Sequence, residues 1–248
     1  MYLFWYITRS IFLLFILVSP LKANTIYNLI RIPNLEIYEI NTLNKLKYFS
    51  ATKPFRLGVT KNIKCLNPDQ ITLENKYKII SENLNRYSYK FLKKINLKFV
   101  VLCENLSISG INTAGIPDNK MKTLILDIKF NEKYFERVIH HEVFHIINDS
   151  FKKMFDNKKW VKLNKSSFSY TECSTCSNRT GLYVYNNTNG FLTEYSKSTA
   201  SEDMAEIFSH LMSNKKMVEN KINKDPILKK KVLFIKNILL KIDNEFIF

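Results

Sequence analysis

The spacing of apolar residues predicts a strand followed by a buried helix near the middle of the chain. Over residues 123–130 apolar and polar residues alternate, so the apolar ones share one face, as in a half-buried strand. Asn131 is a suitable N-cap for a helix over about residues 132–148. Because this helix is apolar around most of its circumference, we expect it to lie centrally in the core.

The same spacing indicates the remaining elements. It predicts strands over residues 55–59 and 97–103. It also predicts helices over residues 71–95, 201–213 and 226–242. The glycines and the proline of residues 105–119 predict a loop. Residues 151–190 are rich in Ser, Asn, Thr and Lys, which predicts an irregular surface segment. Residues 26–49 show no clear period.

The first 23 residues have the features of a secretory signal peptide. An apolar run over residues 11–18 is broken by Pro20, and Ala23 offers a small residue for cleavage. The alternative is an uncleaved membrane anchor through residues 1–18, whose length is marginal for a span. We therefore expect a secreted or extracytoplasmic protein that contacts a membrane only if this segment is retained. Residues 24–120 would be the N-terminal part of the functional domain or a small accessory region, and residues 121–248 its core.

Composition and charge favour a globular protein without a nucleic-acid partner. Hydrophobic residues make up 46% of the 248 residues and charged residues 24%, which is typical of a chain with a core. The formal net charge of +16 could attract acidic molecules. However, lysine is spread along the whole chain beside many Asn and Ile residues, which indicates a general compositional bias. The sequence leaves the oligomeric state open.

The four cysteines are compatible with two disulfides. Export permits disulfide formation, and four cysteines allow three pairings. We favour Cys65 with Cys103 and Cys173 with Cys176, because the second two are close in the chain. Redox chemistry or half of a zinc site is the alternative for Cys173 and Cys176, but the chain has no second C-x-x-C motif.

The motif His141-Glu142-x-x-His145 suggests a zinc site. Residues four apart share a helix face, so both imidazoles could bind one zinc ion while Glu142 accepts a proton from water. The alternative is a chance match on a helix with ordinary histidines. His140 lies about 100° around the helix from His141, so we expect it to pack or to support the site.

A third ligand is expected on the helix over residues 201–213, because catalytic zinc sites use three protein ligands and an open position. Glu202 and Glu206 are four residues apart and share a face, so one could bind the metal while the other orients a histidine. Thr199-x-x-Glu202 also fits a capping box. Spacing alone leaves both roles of Glu202 open.

Three segments together resemble the catalytic domain of anthrax lethal factor and its metallopeptidase relatives. They are the histidine motif at 141–145, Leu-Thr-Glu-Tyr-Ser-Lys-Ser-Thr at 192–199 and Glu-Asp-Met-Ala-Glu-Ile-Phe at 202–208. In that family a tyrosine stands seven residues before the third zinc ligand, as Tyr195 does before Glu202. The resemblance implies that Glu202 is the third ligand, Tyr195 the oxyanion stabiliser and Glu206 a supporting residue. It covers roughly residues 132–242 and is strong only at the motif segments.

The resemblance implies a zincin-like α+β fold with a small mixed sheet, a central active-site helix and a mostly helical C-terminal half. It further implies a zinc endopeptidase with one catalytic zinc ion and a protein or peptide substrate, and the expected signal peptide makes this a secreted enzyme. By the same resemblance, the strand over residues 123–130 would pair with an extended substrate. The alternatives are a secreted toxin-like or binding protein with a structural or inactive zinc site, and an interaction module in which the motif is accidental.

Overall fold

In a computed structural model, which describes residues 32–248, a curled mixed sheet packs against a layer of helices. The strands are β1 (Leu35–Glu39), β2 (Lys47–Ala51), β3 (Phe55–Leu57), β4 (Ile63–Leu66), β5 (Phe99–Ile108), β6 (Ile111–Asn112), β7 (Gly115–Asp118) and β8 (Thr123–Asp127). The helices are α1 (Gln70–Leu84), α2 (Tyr89–Lys94), α3 (Phe135–Ser150), α4 (Asn157–Val161), α5 (Ala200–Ser213), α6 (Lys215–Ile222) and α7 (Pro226–Ile242). The expected α+β class is confirmed. The proposed signal peptide lies outside the described residues.

Strand β5 organises the sheet because it is long enough to pair in two directions. Its first half lies between β2 and β8, parallel to both, and β1 and β7 flank these strands in antiparallel orientation. Its second half pairs with β4 and β6, and β4 pairs with β3, all antiparallel. The sheet therefore curls from a helix-covered part into a protruding part, and β7 forms an edge next to β8.

The interpretation of residues 123–130 as a half-buried edge strand is wrong. All five residues of β8 are buried. Leu124 and Leu126 contact the large core around α3, while Ile125 belongs to a second apolar cluster on the opposite face. Asp127 tolerates burial because its carboxylate accepts hydrogen bonds from the backbone N–H groups of residues 105 and 106, at 3.0 and 3.1 Å.

Strand β8 also pairs on both sides, so it cannot receive an additional strand. The edge is instead β7, which lies in the segment that composition indicated as a loop. A glycine and a proline are compatible with an edge strand, where one side of the backbone makes no ladder bonds. Strands β1, β2, β4 and β6 and helices α4 and α6 are further elements that the sequence pattern did not show.

Capping residues decide where the helices begin. A 3₁₀ turn, Glu132–Tyr134, precedes α3, and Asn131 Oδ1 accepts a hydrogen bond from the N–H of Lys133 at 3.0 Å. The helix expected over residues 71–95 is in fact two helices, because Ser88 caps α2 by accepting from the N–H of Phe91 at 3.1 Å. Helix α7 was predicted correctly at both ends.

A buried ion pair joins α5 to α7. Lys231 and Asp203 are both fully buried, and their Nζ and Oδ2 atoms are 2.6 Å apart. The same carboxylate oxygen accepts hydrogen bonds from Trp160 Nε1 at 3.0 Å and from the Tyr170 hydroxyl at 2.6 Å. Lys231 also donates a hydrogen bond to the carbonyl of Gly190 at 2.7 Å. This network anchors the irregular segment 151–190 to the helices.

Both expected disulfides are present. Cys65–Cys103 joins β4 to β5 with a Cα–Cα distance of 5.9 Å, and Cys173–Cys176 closes a short surface loop with 5.3 Å. Two disulfides suggest an extracytoplasmic environment. Over residues 32–248, no helix has both the length and the apolar character that a membrane crossing requires.

The two disulfides should differ in their contribution to stability. The cysteines are 38 and 3 residues apart in the sequence. From the entropy that each bond removes from the unfolded chain, Cys65–Cys103 should stabilise the fold by about 4 kcal/mol and Cys173–Cys176 by about 2 kcal/mol. We expect the double alanine variant of the first pair to lose more free energy of unfolding in urea than that of the second. An equal loss in both variants would contradict this order.

Candidate metal centre

Helices α3 and α5 bring three potential metal ligands together. The Nε2 atoms of His141 and His145 are 3.2 Å apart, and Glu202 Oε2 lies 2.9 Å from the first and 3.3 Å from the second. Within residues 32–248 these three side chains form the group whose ligand atoms all lie within 4.8 Å of one another. Two residues one turn apart on α3 and one on α5 therefore point at a common centre.

The orientation of the two imidazoles fits a metal ion. His141 Nδ1 lies 3.0 Å from Glu206 Oε1, so this carboxylate can hold a ring proton on Nδ1, and Nε2 would bind a metal after losing its own proton. His145 Nδ1 faces the hydroxyl of Ser201 at 3.3 Å. Two imidazole nitrogens and one carboxylate oxygen are a donor set that zinc prefers in catalytic sites.

Glu206 supports the centre without being one of the converging ligands. Arg137 donates to Oε1 of its carboxylate, and the Thr193 hydroxyl donates to Oε2 at 2.7 Å. Burial would raise the pKa of Glu206, but the hydrogen bond to His141 and the charge of Arg137 outweigh it and lower the pKa to about 2. Glu206 is therefore a permanently charged acceptor for the His141 ring.

The electrostatics of the pocket favour a positive charge beside the carboxylates. Burial would lower the pKa of His141, yet its hydrogen bonds to Glu202 and Glu206 raise the pKa to about 10. Burial would likewise raise the pKa of Glu202, but the neighbouring histidines, His145 first, lower it well below the usual range. Two buried carboxylates thus create a site in which a cation is stabilised.

Of the two roles considered for the Glu202 side chain, the structure shows the one at the candidate centre and not the capping-box bond to the N–H of Thr199. Its backbone N–H donates to Thr199 Oγ1 at 3.2 Å, which is the N-cap contact of α5. Its carboxylate is directed to His141 and His145. The backbone of Glu202 therefore belongs to the helix cap, while its side chain belongs to the candidate centre.

Glu142 lies between the centre and the edge strand β7. A Cβ atom on Gly115 would lie only 2.6 Å from Glu142 Cγ, so the absence of a side chain lets β7 approach the carboxyl group closely. Burial raises the pKa of Glu142, partly offset by the charges of the two histidines. No feature of the sequence predicts this contact between Gly115 and Glu142.

Tyr195 reaches the centre from the chain that precedes α5. It begins a 3₁₀ turn, Tyr195–Lys197, and its ring centroid is 5.9 Å from that of His141. Burial raises the pKa of Tyr195, and the charges of Glu202 and Glu142 raise it further. The hydroxyl group therefore stays protonated and remains a hydrogen-bond donor.

The other two histidines lie outside the ligand group. His140 is fully buried, with Nδ1 2.7 Å from the Tyr87 hydroxyl and Nε2 3.0 Å from Asn83 Oδ1, so it fastens α3 to α1. His210 is buried one turn beyond Glu206, and its Nε2 atom has no hydrogen-bond partner among the described residues. Burial lowers the pKa of both rings, to about 3 and about 4, so both are neutral.

Arg137 and Thr193 are supporting residues that the sequence did not reveal. Arg137 stands one turn before His141 on the same helix face, and this spacing was the only feature of the sequence that could have indicated its supporting role. Thr193 accompanies Tyr195 in the segment that supports the resemblance, but its contact with Glu206 depends on how that segment folds back over α5.

Comparisons with known proteins agree with a zinc-binding protein. The sequence profile of a family described as "Putative zinc-binding metallo-peptidase" matches residues 72–241. The crystal structure of a protein described in the same words, from Bacteroides caccae ATCC 43185, is similar with a TM-score of 0.50 and 22% sequence identity, over 71% of this chain and 73% of that chain. At this identity the similarity shows the fold. A search of curated proteins found no match.

Replacing the charged acceptor of His141 should weaken zinc binding. We expect Glu206→Gln to lower zinc affinity about 10- to 100-fold, because the His141 ring loses a charged partner that orients it. Competition with a chromophoric chelator measures the affinity, and circular dichroism verifies folding. Glu219→Gln on the exposed face of α6 is the control. Unchanged affinity in Glu206→Gln would exclude the supporting role.

Proposed function

The chain belongs to the family of zinc-binding metallo-peptidases, and on this basis we propose that it is a secreted zinc-dependent endopeptidase. The convergence of His141, His145 and Glu202 beside the carboxyl group of Glu142 is the observation that supports the proposal best. We assign His141, His145 and Glu202 to one catalytic zinc ion. When bound there, zinc would polarise the scissile carbonyl group and lower the pKa of a bound water towards about 7.

Glu142 is the general base of the proposed reaction. Its carboxylate accepts a proton from the attacking water and later passes it to the amine nitrogen that leaves. Proton transfer in both directions requires a carboxyl group that is easily protonated, and burial beside β7 raises the pKa of Glu142 in that direction. Contact with Gly115 limits the movement of its side chain.

Tyr195 is the proposed oxyanion stabiliser. This role comes from the resemblance to anthrax lethal factor, and two features of the site support it. Its ring lies beside that of His141, and its hydroxyl group keeps its proton. Such a donor stabilises the negative charge that develops on the carbonyl oxygen in the transition state.

The edge of β7 is the proposed binding surface for an extended substrate. The N–H of Asp127 in β8 donates to the carbonyl of Ala114 at 2.9 Å. In an antiparallel ladder the backbone groups of successive residues point alternately towards the partner strand and away from it. The backbone groups of Gly115 and Pro117 therefore point away from β8. A peptide could add to this edge as a further strand. Its scissile bond would then lie beside Glu142.

A structural or inactive zinc site in a toxin-like or binding protein is the alternative. Structural sites close the fourth position with another protein ligand, whereas catalytic sites leave it open. The ligand group found within residues 32–248 has three members. This count favours catalysis, and cleavage of a mixed peptide library by the zinc-loaded protein would test it directly.

Residues 24–120 are, in our proposal, part of the same catalytic domain. Strands β2 and β5 lie in one sheet with β7 and β8, and α1 packs against α3. Secretion is proposed from the apolar residues 11–18 and agrees with the two disulfides.

The role of Glu142 can be separated from zinc binding. We expect Glu142→Gln to keep bound zinc but to lose about 10²- to 10⁴-fold in kcat, since the amide cannot accept the proton. Metal analysis and hydrolysis of library peptides measure the two properties. A variant as active as the wild type would place the general base elsewhere.

Glu202→Gln and Tyr195→Phe should have opposite effects. Glutamine can still serve at this capping position, so Glu202→Gln should fold normally but bind zinc much more weakly. Tyr195→Phe should retain zinc and lose about 10²- to 10³-fold in kcat, because it lacks the donor to the transition state. Zinc titration, kcat and thermal unfolding distinguish these outcomes. If Glu206→Gln loses zinc and Glu202→Gln does not, the third ligand is one turn further along α5.

A further inference from the structure

The protruding part of the sheet carries an apolar stripe that leaves the core. We call this part the β-arm; it comprises β3, β4, residues 104–108 of β5, and β6. One rung crosses all four strands and consists of Leu57, Ile63, Ile108 and Ile111. Residues directly opposite each other in antiparallel strands lie on the same face, so these four side chains form a continuous stripe.

Exposure rises along the β-arm from its base to its tip. Phe55 and Cys65 at the base are buried. Ile108 and Ile111 are 37% and 56% exposed, and Val59 in the β3–β4 turn is fully exposed at 105%. Packing against the core therefore accounts for the base of the arm but not for the apolar residues at its tip.

The two turns at the tip form one surface. The N–H of Ser109, in the β5–β6 turn, donates to the carbonyl of Asn62 at 2.9 Å, and Asn62 Nδ2 donates to Ser109 Oγ at 3.2 Å. Asn62 ends the β3–β4 turn that contains Val59, so these bonds join that turn to the turn between Ile108 and Ile111. The apolar residues protrude on two adjacent hairpin turns.

The β-arm is basic and lacks acidic residues near its tip. Residues 52–66 and 105–117 include Lys53, Arg56, Lys61 and Lys64 but no Asp or Glu. Arg56 and Lys64 are exposed and paired with each other, one rung from the apolar stripe and on the opposite face. Glu104, at the base, forms an ion pair with Lys129 at 2.8 Å.

We propose that the tip of the β-arm docks onto an anionic membrane surface. Val59, Ile108 and Ile111 would enter the boundary between headgroups and acyl chains, while the basic side chains contact lipid phosphates. A protein partner fits less well, because lysine is depleted in protein interfaces. This contact is independent of the apolar residues 1–18.

Docking would bring the candidate active site towards the membrane. Strand β6 leads into β7 within two residues, and the first residue of β7 is Gly115, which contacts Glu142. Polypeptides at the membrane surface would then be the accessible substrates, if the proposed peptidase function holds. The docking itself requires no catalysis.

Sedimentation with lipid vesicles tests the proposal. We expect the full chain to bind vesicles of phosphatidylcholine with phosphatidylglycerol more tightly than vesicles of phosphatidylcholine alone. Val59→Glu with Ile111→Glu should reduce binding about tenfold or more. Leu43→Glu is the matched control, since Leu43 is 90% exposed but precedes β2, at the opposite end of the sheet. Hydrolysis of a soluble peptide should be equal in all three proteins.

A tryptophan at the tip reports docking even if residues 1–18 also bind lipid. In Val59→Trp we expect a blue shift with anionic vesicles and quenching by brominated lipid, compared with the unsubstituted chain, and neither effect in Leu43→Trp. Equal vesicle binding by the wild type and the double variant, without quenching at position 59, would overturn the proposal. Failure of the wild type to bind anionic vesicles would overturn it as well, and a change of oligomeric state in the double variant would then identify the tip as a contact between copies.

Discussion

The buried contact between Glu206 and Arg137 is the interaction on which the candidate site depends. Two opposite charges are buried together between α3 and α5, and their mutual attraction together with further hydrogen bonds offsets the cost of burial. His141 and Thr193 supply further bonds to the carboxylate, while Arg137 Nη2 has no hydrogen-bond partner among the described residues. A single side chain thereby sets the register of two helices, the orientation of a candidate ligand and the position of the segment that carries Tyr195.

The helices could be predicted from the sequence better than the strands, because their signals are local. Apolar spacing and Asp225, which accepts from the N–H groups of residues 227 and 228, define α7 without information from the rest of the chain. Strands β1 and β2 show no such signal: within the described residues β1 pairs only with β2, and β2 lies in the sheet through β5, about fifty residues further along the chain. The burial of β8 on both faces was likewise not predictable, because the second apolar cluster is assembled from five separate strands.

For the candidate site, the sequence indicated which residues could act but not how they are supported. The spacing of His141 and His145 is enough to place both on one face of α3. Assigning Glu202 required a resemblance, because a capping residue and a ligand have the same spacing. Gly115 could not be recognised at all. Its role is to leave room for Glu142, and this close approach arises only when β7 packs against α3.

Pro117 limits the number of hydrogen bonds that β7 can form with an added strand. An exposed strand edge is a template for self-association, and proteins commonly protect such edges. Proline lacks an N–H group, so of the two outward-facing residues only Gly115 can donate a hydrogen bond. The carbonyl of Gly115 already accepts from Thr113 Oγ1 at 3.1 Å. An added strand is therefore held by few bonds, which opposes stacking of copies into fibrils and, in the proposed peptidase reaction, would allow a cleaved peptide to leave.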